Sequence, residues 1–372
     1  MMLTSRRQMM GWAALGAGGL ALAPRLALAQ TGGEKRFVFI IQRGAADGLN
    51  TVIPYADPAY AQLRGSLAID VADATRLDGT FALHKSLAKV GELYASGQAK
   101  FVHAVGLPYL SRSHFNAQNV LECGGRKPYE LNSGWVNRLL TLLPPGKGKA
   151  VALASAMPMA MRGSMPVMGY QPAQMADPED ELLQRLSGLY QDDPQLHGLW
   201  EAAVDVHAEV SDIRTGRSNS KVGTLAGTLL GKRNGARVAM IETSGWDTHN
   251  AQNAVLTKSL TILDNLISSL RDALGDAWKD TLVIVATEFG RTAAVNGTGG
   301  TDHGTGGLAM VLGGTIQGGQ VISDWPGLSP SALYENRDLK PTTALDTIIT
   351  QALSEHYGWD PEVASQTLFP RT

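Results

Sequence analysis

Phe37-Val38-Phe39-Ile40-Ile41 is an unbroken apolar run with a β-branched share, and a strand with no polar side has to be covered on both faces. Such a strand belongs in a layered sheet with helices above and below it. Further short apolar runs follow at Lys100 to Val105, Lys149 to Leu153, Arg237 to Glu242, Thr281 to Thr287 and Leu308 to Leu312. Helical stretches alternate with them: Ser86 to Ser96, a helix opening near Asn116, and a stripe of Leu256, Leu260, Leu263, Ile267, Leu270 and Leu274, with Gly275 as its cap. Strand-helix alternation predicts an α/β fold, a mostly parallel sheet sandwiched by helices. Helix starts at Asp177-Pro178-Glu179 and Asp193-Pro194 predict a helical insertion over 172–231 that covers one edge of the sheet.

The first residues read as an export signal. Ser5-Arg6-Arg7-Gln8 precedes a Gly- and Ala-rich stretch, Met9 to Ala23, and Ala27-Leu28-Ala29 offers a small-residue cleavage site. Paired arginines point to the twin-arginine translocase, so 1–29 is expected to be removed and 30–372 to work in a periplasm or outside the cell. The stretch falls short of about 20 strongly apolar residues, so no stable transmembrane anchor is expected. The lone Cys123 can form no internal disulfide, which leaves stability to an ordinary core. With 32 basic against 34 acidic residues there is no electrostatic grip on nucleic acid, and a small molecule, a polymer or another protein is the expected partner.

The chemistry-bearing residues lie in segments beside these strands, where an open α/β sheet builds its ligand crevice. Gly245-Trp246-Asp247-Thr248-His249 follows one run, Glu288-Phe289-Gly290-Arg291-Thr292 another, and Thr301-Asp302-His303-Gly304 leads into a third. Asp and His are a usual ligand set for zinc, and a guanidinium at Arg291 or Arg112 suits a phosphate or sulfate. Each segment has a plainer reading. Asp247 or Thr248 could cap the following helix, Glu288 and Arg291 could pair with each other, and the glycines at 297–307 could form a surface loop or bring backbone amides to an anion. Upstream, Arg43-Gly44-Ala45-Ala46-Asp47-Gly48 follows the first strand, and Asp-Gly is also an ordinary turn. Ser111-Arg112-Ser113-His114 opens a helix, where a serine can be a nucleophile with His114 as base or ligand, or simply an N-cap. The methionines at 157, 159, 161, 165 and 168 read as an apolar strand face. His84, His103, His197, His207 and His356 have no ligand-like neighbours.

Taken together and in this order, Arg43-Gly-Ala-Ala-Asp-Gly-Leu-Asn, Ser111-Arg-Ser-His-Phe, Gly245-Trp-Asp-Thr-His, Thr287-Glu-Phe-Gly-Arg-Thr and Asp302-His303-Gly resemble an exported bacterial family known as a domain of unknown function, number fifteen-zero-one. That family is in turn similar to the alkaline phosphatase, sulfatase and cofactor-independent phosphoglycerate mutase superfamily. The resemblance runs from about Phe37 to the C-terminus and implies a sulfatase-like α/β fold with two metal ions. It places a first carboxylate at Asp47, a nucleophile at Ser111 or Ser113, a middle ligand pair at Asp247 and His249, and a last histidine at His303. Where the superfamily pattern calls for Asp-His this chain has Glu288-Phe289, and Asp302 is a substitute for the lost ligand.

The expected activity is a metal-dependent hydrolase or transferase of phosphate or sulfate esters. Its ligands are Asp47, Asp247, His249, Glu288, Asp302 and His303, holding one or two ions of zinc, manganese or calcium. Ser113, Ser111, His114, Arg291 and Arg112 are the expected catalytic residues. The rival expectation, raised by Glu288-Phe289, is a non-catalytic exported binding or assembly protein.

Overall fold

The structure is a computed structural model that describes residues 34–146, 148–170 and 219–371. The expected signal at 1–29 and residues 172–218 of the expected insertion lie outside the described residues, as do His197 and His207.

Among the described residues the strands are β1 (Arg36–Gln42), β2 (Val52–Ile53), β3 (Ala74–Arg76), β4 (Ala82–His84), β5 (Ala99–Gly106), β6 (Ala150–Leu153), β7 (Met168–Tyr170), β8 (Val238–Thr243), β9 (Thr281–Ala286), β10 (Gly307–Gly313), β11 (Gln320–Ile322) and β12 (Thr343–Ala344). The helices are α1 (Gly48–Thr51), α2 (Tyr60–Arg64), α3 (Ala88–Ala95), α4 (His114–Cys123), α5 (Trp135–Leu140), α6 (Asn219–Gly231), α7 (Gln252–Leu274), α8 (Leu345–Tyr357) and α9 (Pro361–Leu368). The main sheet runs β11-β5-β10-β9-β1-β8-β6-β7, with β12 beside β5, while β2, β4 and β3 form a small separate sheet. Every described pairing in the main sheet is parallel except the two made by β10. The mostly parallel α/β sheet expected from the apolar runs is the fold observed.

Alternation explains the two cores. Successive side chains of a strand point to opposite faces. Val38 and Ile40 of β1 meet Ala239, Ile241, Val283 and Val285 on one face, covered by Leu260, Leu263, Ile267 and Leu270 of α7. Phe37, Phe39 and Ile41 turn the other way, onto Trp135 of α5 and Leu345, Ile349 and Leu353 of α8. Phe39 and Trp135 pack edge to face at 5.0 Å. All six stripe residues of α7 are buried, and Gly275 ends the helix with φ 52°. At about 1.5–3 kcal/mol for each fully buried large aliphatic side chain, this stripe alone fixes α7 on the sheet.

The last part of the expected insertion, α6, packs with α7 on a sheet face through Leu225, Ala226, Leu229 and Leu230. One expectation changes. The methionine cluster is no regular strand face, because Met159–Met161 form a 3-10 turn and only Met168 lies in a strand. Pro158, which caps that turn, cannot donate to a sheet ladder.

Candidate metal centre

Sheet direction decides which loops meet. The segments after β1, β5, β8 and β9 leave from the same edge because those strands are parallel. The segment before β10 arrives at that edge because β10 runs the other way. Asp302-His303, which precedes its strand, is thereby brought beside Asp247-Thr248-His249 and Glu288, which follow theirs. Close backbone packing completes the convergence. A Cβ on Gly300 would meet the His249 carbonyl at 2.3 Å, and Gly44, at φ 116°, lies against the Asp247 amide. Gly300, Gly304 and Gly306 therefore serve loop-on-loop contact, whereas a Cβ on Gly297 or Gly299 would meet nothing.

Three imidazoles point their Nε2 atoms at one place. Those of His114 and His303 are 2.9 Å apart, and those of His249 and His303 are 3.0 Å apart. Asp247 joins them: Oδ1 lies 3.0 Å from His249 Nε2 and 3.3 Å from His303 Nε2, and Oδ2 lies 3.4 Å from His114 Nε2. Ligand atoms of His114, Asp247 and His303 all fall within 4.8 Å of one another. Ligands placed tetrahedrally around zinc at about 2.0–2.1 Å stand about 3.3 Å apart, close to the separations among His114, Asp247 and His303, with His249 reaching the group through His303 and Asp247.

The other face of each ring explains the orientation. His114 Nδ1 faces Glu288 Oε1 at 2.7 Å, His249 Nδ1 faces Asp302 Oδ1 at 3.2 Å, and His303 Nδ1 faces the Arg112 carbonyl at 3.0 Å. All three partners are acceptors, so the ring proton is assigned to each Nδ1 and a lone pair to each Nε2. Metal-ligating histidines carry this same outer arrangement of carboxylate or carbonyl on the second nitrogen. Three lone pairs and a carboxylate facing one point repel each other unless a cation lies among them.

The expected residues sort into inner and outer positions. His114, Asp247, His249 and His303 face the common point. Glu288, expected as a ligand, is fully buried and spent: Oε1 accepts from Gly44 N–H and Gln118 Nε2 as well as facing His114, and Oε2 accepts from Thr287 Oγ1. Asp302 is likewise turned to His249 Nδ1 and accepts from Asn296. Asp47 stands apart. Arg64 Nη1 and Nη2 each donate to it at 2.8 Å, the Leu49 amide donates at 3.0 Å, and Gln252 donates to Oδ2. A carboxylate offers about four acceptor positions, and these four donors leave none for a metal.

Neither arginine expected to hold an anion is free to do so. Arg291 is fully buried and donates to Asp247 Oδ1 at 2.6 Å and to Thr301, while Arg112 pairs with Asp338 and Glu335. Ser113 occupies the N-cap position of α4, yet its side chain makes no capping hydrogen bond, and Ser111 is exposed. Phe289 stacks on His114 at 4.9 Å and so holds that ring in place, while Trp246 is buried in the core. Neither Asp247 nor Thr248 caps α7, whose N-cap is Ala251.

The charges reinforce the geometry. The Glu288 hydrogen bond raises the His114 imidazole, whereas burial and then the neighbouring His114 charge lower His303. Burial would raise Asp247, but the Arg291 hydrogen bond and charge outweigh it and hold the carboxyl below its ordinary range. Glu288 is held low in the same way, against its burial, by His114 and Gln118. Sequence reasoning missed Gln118, Gln252 and Arg64. Gln118 carried a signal, since it lies one helical turn beyond His114, while Arg64 carried none.

Solved structures similar to this chain are distant. A protein of the alkaline phosphatase superfamily from Vibrio parahaemolyticus is 12% identical, with 86% of this chain and 72% of that one covered and a TM-score of 0.40. The PsFucS1 sulfatase from Pseudoalteromonas sp. is 12% identical over 98% and 74% of the two chains, with a TM-score of 0.40. The C-terminal periplasmic domain of EcEptC from Escherichia coli, in complex with Zn, is 9% identical over 76% and 74%, with a TM-score of 0.41. No curated protein matches. A family model covers most of the chain, residues 34–358, and the protein therefore belongs to the family described as Protein of unknown function (DUF1501).

Proposed function

We propose that His114, Asp247, His249 and His303 hold a divalent cation, with zinc the best match to an imidazole-rich set, and that the chain is an exported hydrolase or transferase of phosphate or sulfate esters. The observation that carries the reading is the meeting of three Nε2 atoms whose Nδ1 partners are all acceptors. When bound, such a cation supplies Lewis acidity toward an ester oxygen. Glu288, Asp302 and the Arg112 carbonyl hold the rings in one tautomer, and Arg291 holds the Asp247 carboxylate in place. Their work is orientation set before substrate arrives. The side chains of Asp247 and His249 are 41% and 44% exposed, so the cluster opens to solvent where a substrate can reach it. Ser113, whose hydroxyl caps nothing, is the nucleophile of this reading, and Ser111 the alternative.

The ester class comes from the sequence resemblance. Export through the twin-arginine translocase rests on Ser5-Arg6-Arg7-Gln8 and the cleavage site near Ala29, and no helix among the described residues is long and apolar enough to cross a membrane. In this reading 30–372 is one working domain in the periplasm or outside the cell.

A second reading is favoured by one observation. With Arg291 and Arg112 both committed to internal ion pairs, the centre could serve structure or binding in a non-catalytic protein. Metal analysis of the purified mature chain together with turnover of aryl phosphate, phosphodiester and sulfate esters separates the two. The catalytic reading expects bound metal and turnover, both lost in His249→Ala. Bound metal with no turnover of any ester favours the second reading, and a metal-free chain removes the catalytic reading and leaves a non-catalytic protein with a degenerate metal site.

A further inference from the structure

Two carboxylates stand beyond neighbouring strands, Asp47 after β1 and Asp247 after β8, and their surroundings are opposite. Asp247 faces three imidazoles. Asp47 is 1% exposed and faces the guanidinium of Arg64, whose side chain is 0% exposed. A continuous buried chain of hydrogen bonds joins the two. Gln252, 0% exposed, donates from Nε2 to Asp47 Oδ2, which fixes the orientation of its amide. Its Oε1 then accepts from Thr248 Oγ1 at 2.8 Å and Thr301 Oγ1 at 2.6 Å. Thr301 Oγ1 in turn accepts from Arg291 Nε at 3.1 Å, and Arg291 Nη1 donates to Asp247 Oδ1. Each donor direction is set by the fixed charges at the two ends, so the chain has one arrangement.

We propose that Arg64 is a built-in cation that takes the carboxylate of Asp47 out of metal binding, leaving one metal ion per chain, and that Gln252, Thr301 and Arg291 transmit this fixed pair to Asp247 as positioning residues. The inference rests on the metal reading above and adds the number of ions and the device that sets it. The Arg64 guanidinium satisfies both Asp47 oxygens bidentately, and that geometry holds the site closed. Thr301 is the narrowest link: its single oxygen donates to Gln252 and accepts from Arg291, and a methyl group in its place breaks both steps while keeping the volume.

The test counts ions and measures affinity. Native mass spectrometry of the mature chain with excess zinc is expected to show one ion. Two ions overturn this inference and leave the metal reading standing, whereas none overturns both. Chelator competition on Thr301→Val is expected to give about tenfold weaker zinc binding at unchanged stoichiometry, with Thr301→Ser close to wild type, in line with the 10–100-fold typical of outer partners. Equal affinity in Thr301→Val and wild type overturns the positioning role. Should Thr301→Val not fold, the double variant Arg64→Met/Asp47→Leu, which removes both buried charges together, carries the same measurement. It is expected to bind one zinc ion more weakly than wild type, and wild-type affinity in it is the overturning result.

Discussion

His103 is fully buried and His303 only half-buried in the same chain, and only the second is incomplete by itself. His103 Nε2 faces the Val52 carbonyl at 2.9 Å and its Nδ1 accepts from the Ala104 amide at 2.9 Å, between Phe81 stacked at 5.4 Å and the edge of Trp325 at 5.0 Å. Every polar atom of that ring has a complementary partner, and nothing further is called for. His303 has an acceptor on Nδ1, but its Nε2 faces two other ring nitrogens and a carboxylate. Burial alone therefore does not mark a functional histidine. The mark is a lone pair that the protein has aimed and left without a donor.

Removing a ring tests the contrast most severely. His303→Ala is expected to weaken zinc binding by more than about a hundredfold, beyond the range of outer partners, while His103→Leu leaves it unchanged in chelator competition. Equal losses in the two variants would break the distinction. The metal's link to folding gives a second readout. Zinc at about a hundred times its dissociation constant stabilises wild type by about 2.7 kcal/mol, and stripping it with a chelator lowers the melting temperature of wild type but not of His303→Ala.

A distinct share of the pH dependence of stability should belong to the self-contained ring. Burial pushes the His103 imidazole from 6.5 down to about 4, so the folded chain keeps it neutral where the unfolded chain protonates it. Its contribution is complete above pH 6.5 and is lost as pH falls toward 4, a difference of about 3 kcal/mol. Urea unfolding at pH 7 and pH 4 is expected to show that much smaller a loss in His103→Leu than in wild type.

Smaller effects sharpen the inner and outer assignments. Glu288→Gln and Asp302→Asn should each weaken zinc binding about 10–100-fold, with Glu288→Gln the larger because its carboxylate is 0% exposed and that of Asp302 is 54% exposed. The reverse order would mean that Asp302 faces the ion itself. Smallest of all, Ser113→Ala should change unfolding free energy by less than about 0.5 kcal/mol, where a working N-cap would cost about 1 kcal/mol. In the ester assays the same variant should lose turnover while Ser111→Ala keeps it.

The apolar runs at Phe37, Arg237 and Thr281, and the stripe from Leu256 to Leu274, were legible because strand and helix periods are local properties of the chain. The segments that carry the chemistry were legible for a related reason, since Asp, His and Glu seldom gather beside buried strands without use. Their roles were not. Glu288 reads as a ligand and His114 as a base or ligand until the fold sets them 2.7 Å apart across 174 residues of sequence. Asp47 reads as the first metal carboxylate until Arg64 closes it. Residue types and spacing settled the sheet, its two cores and the set of candidate side chains. Which nitrogen faces which oxygen, and hence which group is left open to a cation, was decided by long-range packing around the antiparallel β10 and by loops in backbone contact, because hydrogen-bond partners within 3 Å are fixed only when distant segments meet.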